Sequence, residues 1–440
     1  MTELHNEPAR TQKEKRFQIE SPYRMSIPML ILCLILICFG LIMLFSASMS
    51  AGYYDAHGNP LHYVLNQGKY TLIGIALAIL IVFIPVKIYD HIGFVALAYA
   101  ITLALVVYTK FFGEIDGGSR RWIRIGSQKF QPSELAKVAL IFCIAGYRSF
   151  IIRRRKAGKL KCRTARGQSY LDCIVDIVIP VGMLMVCLVF VLLQPHMSFF
   201  IIMTTISFIC FLVSGIPLKS WIDGGLMLIA MALIAGTVLM LSTSYTQKEK
   251  FMGNFEHVIT RLNIFSTMNS EETAAAAAAS EAQNSSAASD DDVYQSKQSM
   301  IAIGSGGVSG VGFGSSRQKY QYLPAAHNDY VYAIACEELG FIGGVSIIIL
   351  FWAFLCGGLS IAWRAQSDFA RILAVGYTSL IVIQAAFNIA VSLGVIPPTG
   401  ITLPFFSYGG TANLFFLAAV GLILAVSRTG VSRKKITYLN

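Results

Sequence analysis

Residues 323–340 read LPAAHNDYVYAIACEELG. The stretch is a turn with His327 and Asp329, then an apolar run that holds Glu337 and Glu338. The continuation, FIGGVSIIILFWAFLCGGLSIAW, has no charge at all. A hydrocarbon core of roughly 30 Å takes about 20 such residues to cross, so the chain enters a membrane here. Upstream, Ser242 to Asn328 is the longest polar segment between apolar runs. Asp329 therefore stands at the boundary of water and lipid, and the chemistry is expected there.

Working outward, the same reading applies to most of the chain. Its 440 residues are 55% hydrophobic and only 13% charged, too apolar for a soluble domain of that length. Apolar runs lie near 27–47, 70–87, 91–109, 133–147, 173–194, 197–216, 222–242, 329–362, 369–394 and 411–428. The expected fold is an all-α polytopic membrane protein with about ten transmembrane helices. A large extracytoplasmic loop, residues 243–328, separates helices 7 and 8. Residues 1–25 form an N-terminal arm, 26–430 the transmembrane domain, and 431–440 a tail.

Charge gives the orientation. The first apolar run follows Arg10, Lys13, Lys15, Arg16 and Arg24, with no small-residue cleavage site, and reads as a retained helix. Basic residues crowd the 148–166 loop and the C-terminal tail, where Arg428, Arg433, Lys434 and Lys435 lie. Both termini are thus expected in the cytoplasm. Inside loops facing anionic lipid account for most of the net charge of +11, so nucleic acid is not expected as a partner. The nine cysteines fall in spans or on the inner side, and no disulfide framework or paired metal motif is indicated.

One outer loop breaks the charge rule. KFFGEIDGGSRRWIRIGSQKFQP, residues 110–132, carries Lys110, Arg120, Arg121, Arg124 and Lys129. Arginine forks suit phosphate oxygens, and Trp122 among them is placed to stack on a sugar or sit at the headgroup level. The plainer alternative is a solvated loop pairing with lipid headgroups. Just inside the next span, Glu134 and Lys137 share a helix face, either as a structural ion pair or at the border of a polar cavity. His57 and His62 read as loop residues. His196, in QPHMS, reads as a turn residue.

The polar segment contains two further features. Residues 268–293, MNSEETAAAAAASEAQNSSAASDDDV, are small, acidic and repetitive, and predict an insert without fixed structure. Residues 294–320 hold six glycines followed by Arg317, Gln318 and Lys319. This glycine pattern lacks the flanking motif of a phosphate cradle, and bent backbone is its simpler meaning. Later, LGVIPPTGITLPFFSYGGT, residues 393–411, has three prolines and four glycines. Irregular backbone at membrane depth has to be buried in protein or line a cavity, and this segment is read as a groove wall.

Four of these stretches together resemble the SEDS family (shape, elongation, division and sporulation), whose members include FtsW, RodA and SpoVE: GGSRRWIRIGSQKFQPSELAK, YQSKQSMIAIGSGGVSGVGFGSSRQ, LPAAHNDYVYAIACEELG and GVIPPTGITLPFFSYGGT. The resemblance covers residues 22–430 and leans toward the division type. It implies peptidoglycan polymerisation outside the cytoplasmic membrane, in which lipid II sugars join into glycan strands still attached to undecaprenyl pyrophosphate. It also implies a class B penicillin-binding transpeptidase and divisome proteins as partners. The family commonly has QPD where this chain has Gln194, Pro195 and His196, which argues against an essential carboxylate there.

By the resemblance Asp329 matches an essential aspartate. Arg120, Arg121, Trp122 and Lys137 match one substrate motif, and Gln318 and Lys319 the end of another. A positioned carboxylate that takes a proton from a sugar hydroxyl helps by roughly a hundredfold to ten-thousandfold. Asp329 is expected in that role, or else as a ligand for a divalent cation, Mg or Mn, on the pyrophosphate. No organic cofactor is expected. Arg120, Arg121, Arg317 and Lys319 are the outer cations available to the leaving group. Glu134, His327, Glu338, Ser407 and Tyr408 are expected in supporting roles. A flippase or a scaffold for the transpeptidase would share the many spans, but a flippase should carry polar groups along a path through the membrane.

Overall fold

The computed structural model describes residues 25–56, 58–116, 119–126, 128–192, 197–242 and 287–429. The chain begins with α1 (Ile27–Asp55), α2 (His62–Phe83), the one-turn α3 (Val86–Tyr89) and α4 (Ile92–Phe112). Next come α5 (Pro132–Lys156), α6 (Ala165–Cys173), a π turn (Ile174–Val178), α7 (Ile179–Leu192), α8 (Met197–Val213) and α9 (Leu218–Ser242). After the polar segment follow α10 (Ala287–Ser305), α11 (Val331–Trp363), α12 (Asp368–Ser392) and α13 (Gly410–Ser427). Among the described residues eight helical spans are long and apolar enough to cross a membrane: α1, α2, α4, α5, the α6–α7 unit, α11, α12 and α13. The shorter apolar α8 and the 25-residue α9 lie between them in sequence.

Alternation of these antiparallel helices sorts the connections onto two ends. Asp55 to His62, the 113–131 segment, Asp329 and residues 393–409 share one end. The 157–164, 214–217 and 364–367 turns share the other. The outer flanks are apolar, with Leu72, Leu80, Phe83 and Trp352 exposed, and the centre is packed with Leu36, Met43, Ile141, Leu188, Phe354 and Tyr377. A helix that is hydrophobic on every side suits a position between lipid and core. Close helix approach uses small residues: a Cβ added at Gly421 of α13 would come within 2.8 Å of Ala78 in α2.

The 113–131 segment is not an open loop. It forms a meander of β1 (Glu114–Asp116), β2 (Ser119–Ile125) and β3 (Gln128–Phe130), all antiparallel. Ile115 faces Arg120, and Arg124 faces Lys129 across the ladders. Arg124 pairs with Glu114 at 2.6 Å. The register shifts by one residue at Arg121, a bulge, so Trp122 and Arg124 share a face with Glu114 and Arg120 lies on the opposite one.

The opposite end is tied by buried charge. Arg148 Nη1 lies 2.5 Å from Asp176 Oδ1, and Arg155 reaches Asp176 Oδ2 at 2.8 Å and Asp172 at 2.7 Å. Asp176 sits in the π turn and is wholly buried. Such a pair holds only because both members are present; removing one leaves an uncompensated charge, at a cost of roughly 3–5 kcal/mol.

Residues 287–293 already belong to α10, and the rest of 268–293 lies outside the described residues, as do residues 1–24, His57, His196 and 430–440.

Candidate active site

The glycine-rich stretch is explained by a break in α11. Gly340 has φ +68°, ψ −165°, which no helix residue adopts. In an unbroken helix the N–H groups of Phe341 and Ile342 would bond the carbonyls of Glu337 and Glu338. Here Phe341 N–H donates to Gly307 O at 2.9 Å and Ile342 N–H to Val308 O at 3.3 Å. In exchange, Val311 N–H donates to Glu337 O and Gly312 N–H to Glu338 O, each at 3.0 Å. The 307–312 turn therefore substitutes for one turn of the helix ladder. A Cβ at Gly310 would stand 2.1 Å from Glu338 O and one at Gly306 2.1 Å from Cys336 O, so these two glycines permit the close, bent backbone approach.

The same docking sets the two glutamates. Glu337 accepts from Ser316 Oγ and, at 2.9 Å, from the Arg317 N–H. Glu338 accepts from Ser46 Oγ of α1 at 2.6 Å and from Lys319 Nζ at 2.9 Å. Lys319 also donates to Ser46 Oγ at 3.1 Å and Gly314 O at 2.7 Å. An ammonium has three protons, and all three are used. The Lys319 side chain, expected at the substrate pyrophosphate, is wholly buried here and clamps the turn to α1 and α11.

Lys137 is likewise an internal group. Its Nζ lies 2.8 Å from Glu134 Oε1 and 2.8 Å from Gln384 Oε1, with both partners of the ion pair buried. Gln384 in turn donates to Thr402 O and Thr402 Oγ1 at 3.3 Å. With Gln384 the pair holds the wall segment 393–409 against α5 and α12, so Lys137, expected at the substrate, is buried among protein partners here.

Asp329 differs from these acids. It lies part-buried one residue before the N-cap of α11, and no described residue bonds or pairs with its carboxylate. Burial alone pushes its carboxyl up from the ordinary value to about 6. Its backbone is fixed instead: Asn388 Nδ2 of α12 donates to Asp329 O at 2.6 Å and to Ile401 O at 2.7 Å. The wall passes close by, since a Cβ at Gly400 would stand 3.8 Å from Asp329 Oδ2.

An aromatic cluster lies two residues upstream. The His327 ring is 4.3 Å, centre to centre, from Tyr63 and 6.0 Å from Tyr408. Burial lowers the His327 imidazole to about 4, so it is neutral at pH 7. Tyr408 N–H donates to His327 O at 2.9 Å. Ser407 Oγ accepts from Leu403 N–H at 2.8 Å, closing the wall's last turn. Gln67 of α2 donates to Ser407 O and accepts from Gly409 N–H, both at 3.2 Å. His327, Ser407 and Tyr408 thus come together as support for the wall beside Asp329.

The remaining sequence candidates sit at the same end. Arg317 and Arg120 are exposed, and Arg120 Nη1 donates to Phe111 O at 2.6 Å. Arg121, Trp122 and Gln318 are half-buried. Ser46, Gln67 and Asn388 also hold the site together, through Glu338, Ser407 and Asp329 in turn. The usable signal was spacing: Gln384 and Asn388 fall four apart in an apolar helix, hence on one face.

Comparison with known proteins agrees with this layout. The family model for FtsW, RodA and SpoVE, described as "Cell cycle protein", matches residues 27–431. A protein of Marinobacter nauticus named "Probable peptidoglycan glycosyltransferase FtsW" is 31% identical, over 93% of this chain and 91% of its own. Stage V sporulation protein E of Bacillus subtilis is 31% identical, over 91% and 96%. A chain from a solved peptidoglycan synthase complex shares the fold with a TM-score of 0.60 at 23% identity, covering 92% of this chain and 98% of that one. With spans, glycine-rich turn and wall segment all inside the matched range, this chain is a member of the FtsW/RodA/SpoVE family of integral membrane proteins.

Proposed function

We propose that the chain is a peptidoglycan glycosyltransferase that polymerises lipid II at the outer face of the cytoplasmic membrane. The observation that carries this reading is Asp329, a part-buried carboxylate without a side-chain partner among the described residues, held by its backbone beside the 393–409 wall. Buried acids elsewhere in the bundle, Glu134, Asp176, Glu337 and Glu338, are paired or hydrogen-bonded. Relatives across most of the chain carry the glycosyltransferase name.

In this reading Asp329 accepts the proton of the acceptor sugar's 4-hydroxyl as that oxygen bonds the donor's anomeric carbon. The bond from that carbon to the pyrophosphate breaks, and the configuration inverts. The exposed Arg120 and Arg317 offset the charge that grows on the leaving group. Asp329 is a single carboxylate, and among the described residues no cluster of three or more His, Cys, Asp or Glu could hold a metal. The donor set fits a Mg or Mn ion that arrives on the substrate's phosphates, since such ions take one or two carboxylates and keep waters.

The basic 153–166 stretch, opposite the Asp329 end, supports cytoplasmic termini. A class B transpeptidase partner and a septal role are part of the same proposal, in keeping with the FtsW naming of several relatives. The test is incubation of purified chain and transpeptidase with lipid II, with products resolved by size. Glycan ladders support the reading, whereas lipid II moved across vesicles without polymer would replace it with a flippase.

A further inference from the structure

Asn388 is wholly inside the bundle, near the end of α12, at 1% exposure. Its amide nitrogen satisfies two carbonyls that no regular ladder uses, Asp329 O at 2.6 Å and Ile401 O at 2.7 Å. Both partners are acceptors, so only the NH2 group fits against them. The other amide atom, Oδ1, is buried without a hydrogen bond.

The two tethered segments are the two sides of the candidate active site. Asp329 belongs to the turn that enters α11, and Ile401 to the wall whose Gly400 passes beside the Asp329 carboxylate. One turn earlier on α12, Gln384 fixes Thr402 in the same wall. We propose that Asn388 is a positioning residue for the polymerisation reaction, setting the distance between the Asp329 carboxylate and the 399–402 wall against which the acceptor sugar lies. The inference rests on the reading of Asp329 as the base. Asn388 itself touches no reacting atom; it acts by holding a backbone.

Misplacing a base by about 1 Å lowers turnover by up to a hundredfold while leaving ground-state binding intact. The experiment compares full-length native chain, Asn388→Ala and Asn388→Asp, each with its transpeptidase partner, on purified lipid II, with rates taken per folded molecule. Asn388→Asp is the sharper variant, because it sets an oxygen against two carbonyl oxygens at unchanged volume. The expected result is a fall in kcat of about tenfold to a hundredfold with KM within about twofold of native. Native kcat in both variants overturns the proposal, because a merely structural role lowers yield and melting temperature without changing turnover of what folds. Should neither variant assemble, Asn388→Ser retains one donor. A fall of about threefold to tenfold then upholds the role, and native kcat sinks it. Asp329→Asn run alongside separates the two claims: if it polymerises normally the base assignment fails, and if it is inactive beside native-like Asn388 variants only the positioning role fails.

Discussion

Lys319 Nζ and Glu338 Oε1 lie 2.9 Å apart with neither side chain exposed, and Ser46 of α1 contacts both. The two residues therefore act on stability together. Lys319→Ala alone leaves a buried carboxylate uncompensated and should lower stability by about 3–5 kcal/mol, while the double change Lys319→Met with Glu338→Leu should recover most of that loss. Melting of native, Lys319→Ala and the double variant in one detergent checks the comparison.

Arg317 is the contrasting cation. Its side chain is exposed, while its N–H donates to Glu337 and its carbonyl accepts from the Tyr320 N–H. Arg317→Ala should leave melting unchanged and reduce kcat/KM for lipid II by about tenfold, the loss of one charge-assisted contact to a leaving phosphate. Side-by-side melting and initial-rate measurements test it.

Asp329 carries its negative charge without a partner, and that is unfavourable for folding. Its carboxyl is raised to about 6, so the group opposes folding increasingly as pH rises through that window, and the opposition is complete at neutral pH. Asp329→Asn should be at least as stable as native at pH 7.5, by up to about 2 kcal/mol, and gain nothing at pH 4. Melting curves at both pH values show the difference.

The same shift sets a pH profile. A base must be deprotonated, so kcat should rise with pH to a plateau through about 6, well above an ordinary aspartate. His327, two residues away, is neutral throughout that range, its imidazole having been lowered to about 4. An initial-rate series from pH 4.5 to 8 locates the limb, and a midpoint near 4 would show that Asp329 is not desolvated in the working enzyme.

Gly340 tests the helix exchange. A Cβ there would meet Gly310 N at 2.3 Å and Val308 O at 2.4 Å, on a backbone with positive φ. Gly340→Ala should unfold the turn, by more than about 3 kcal/mol. Gly307→Ala, with positive φ but open space, should cost only about 1 kcal/mol.

Much of this was legible in the chain. Apolar runs gave the helices because lipid leaves the backbone no other partner. Asp329 stood out because a lone acid at a span entrance is conspicuous, and the bent backbone at 304–314 followed from its glycines. The meander at Glu114–Phe130 was hidden, since its short strands sit in a run whose charges dominate the pattern. Pairings were hidden as well. Nothing local tells that Lys319 turns inward to Glu338 while Arg317, two residues earlier, stays out; that depends on where Ser46, 273 positions away, is brought by the fold. Asn388 and Gln384 lie four apart on one helix face, but their partners, Asp329 and Thr402, come from tertiary packing.

The central claim is that Asp329 performs the chemistry. Its most direct test is glycan polymerisation from purified lipid II by the chain with its transpeptidase partner, native against Asp329→Asn, at matched expression and complex assembly. The account predicts glycan strands from the native chain and none from a fully assembled Asp329→Asn complex. Equal polymer from both would contradict it and move the chemistry away from this carboxylate.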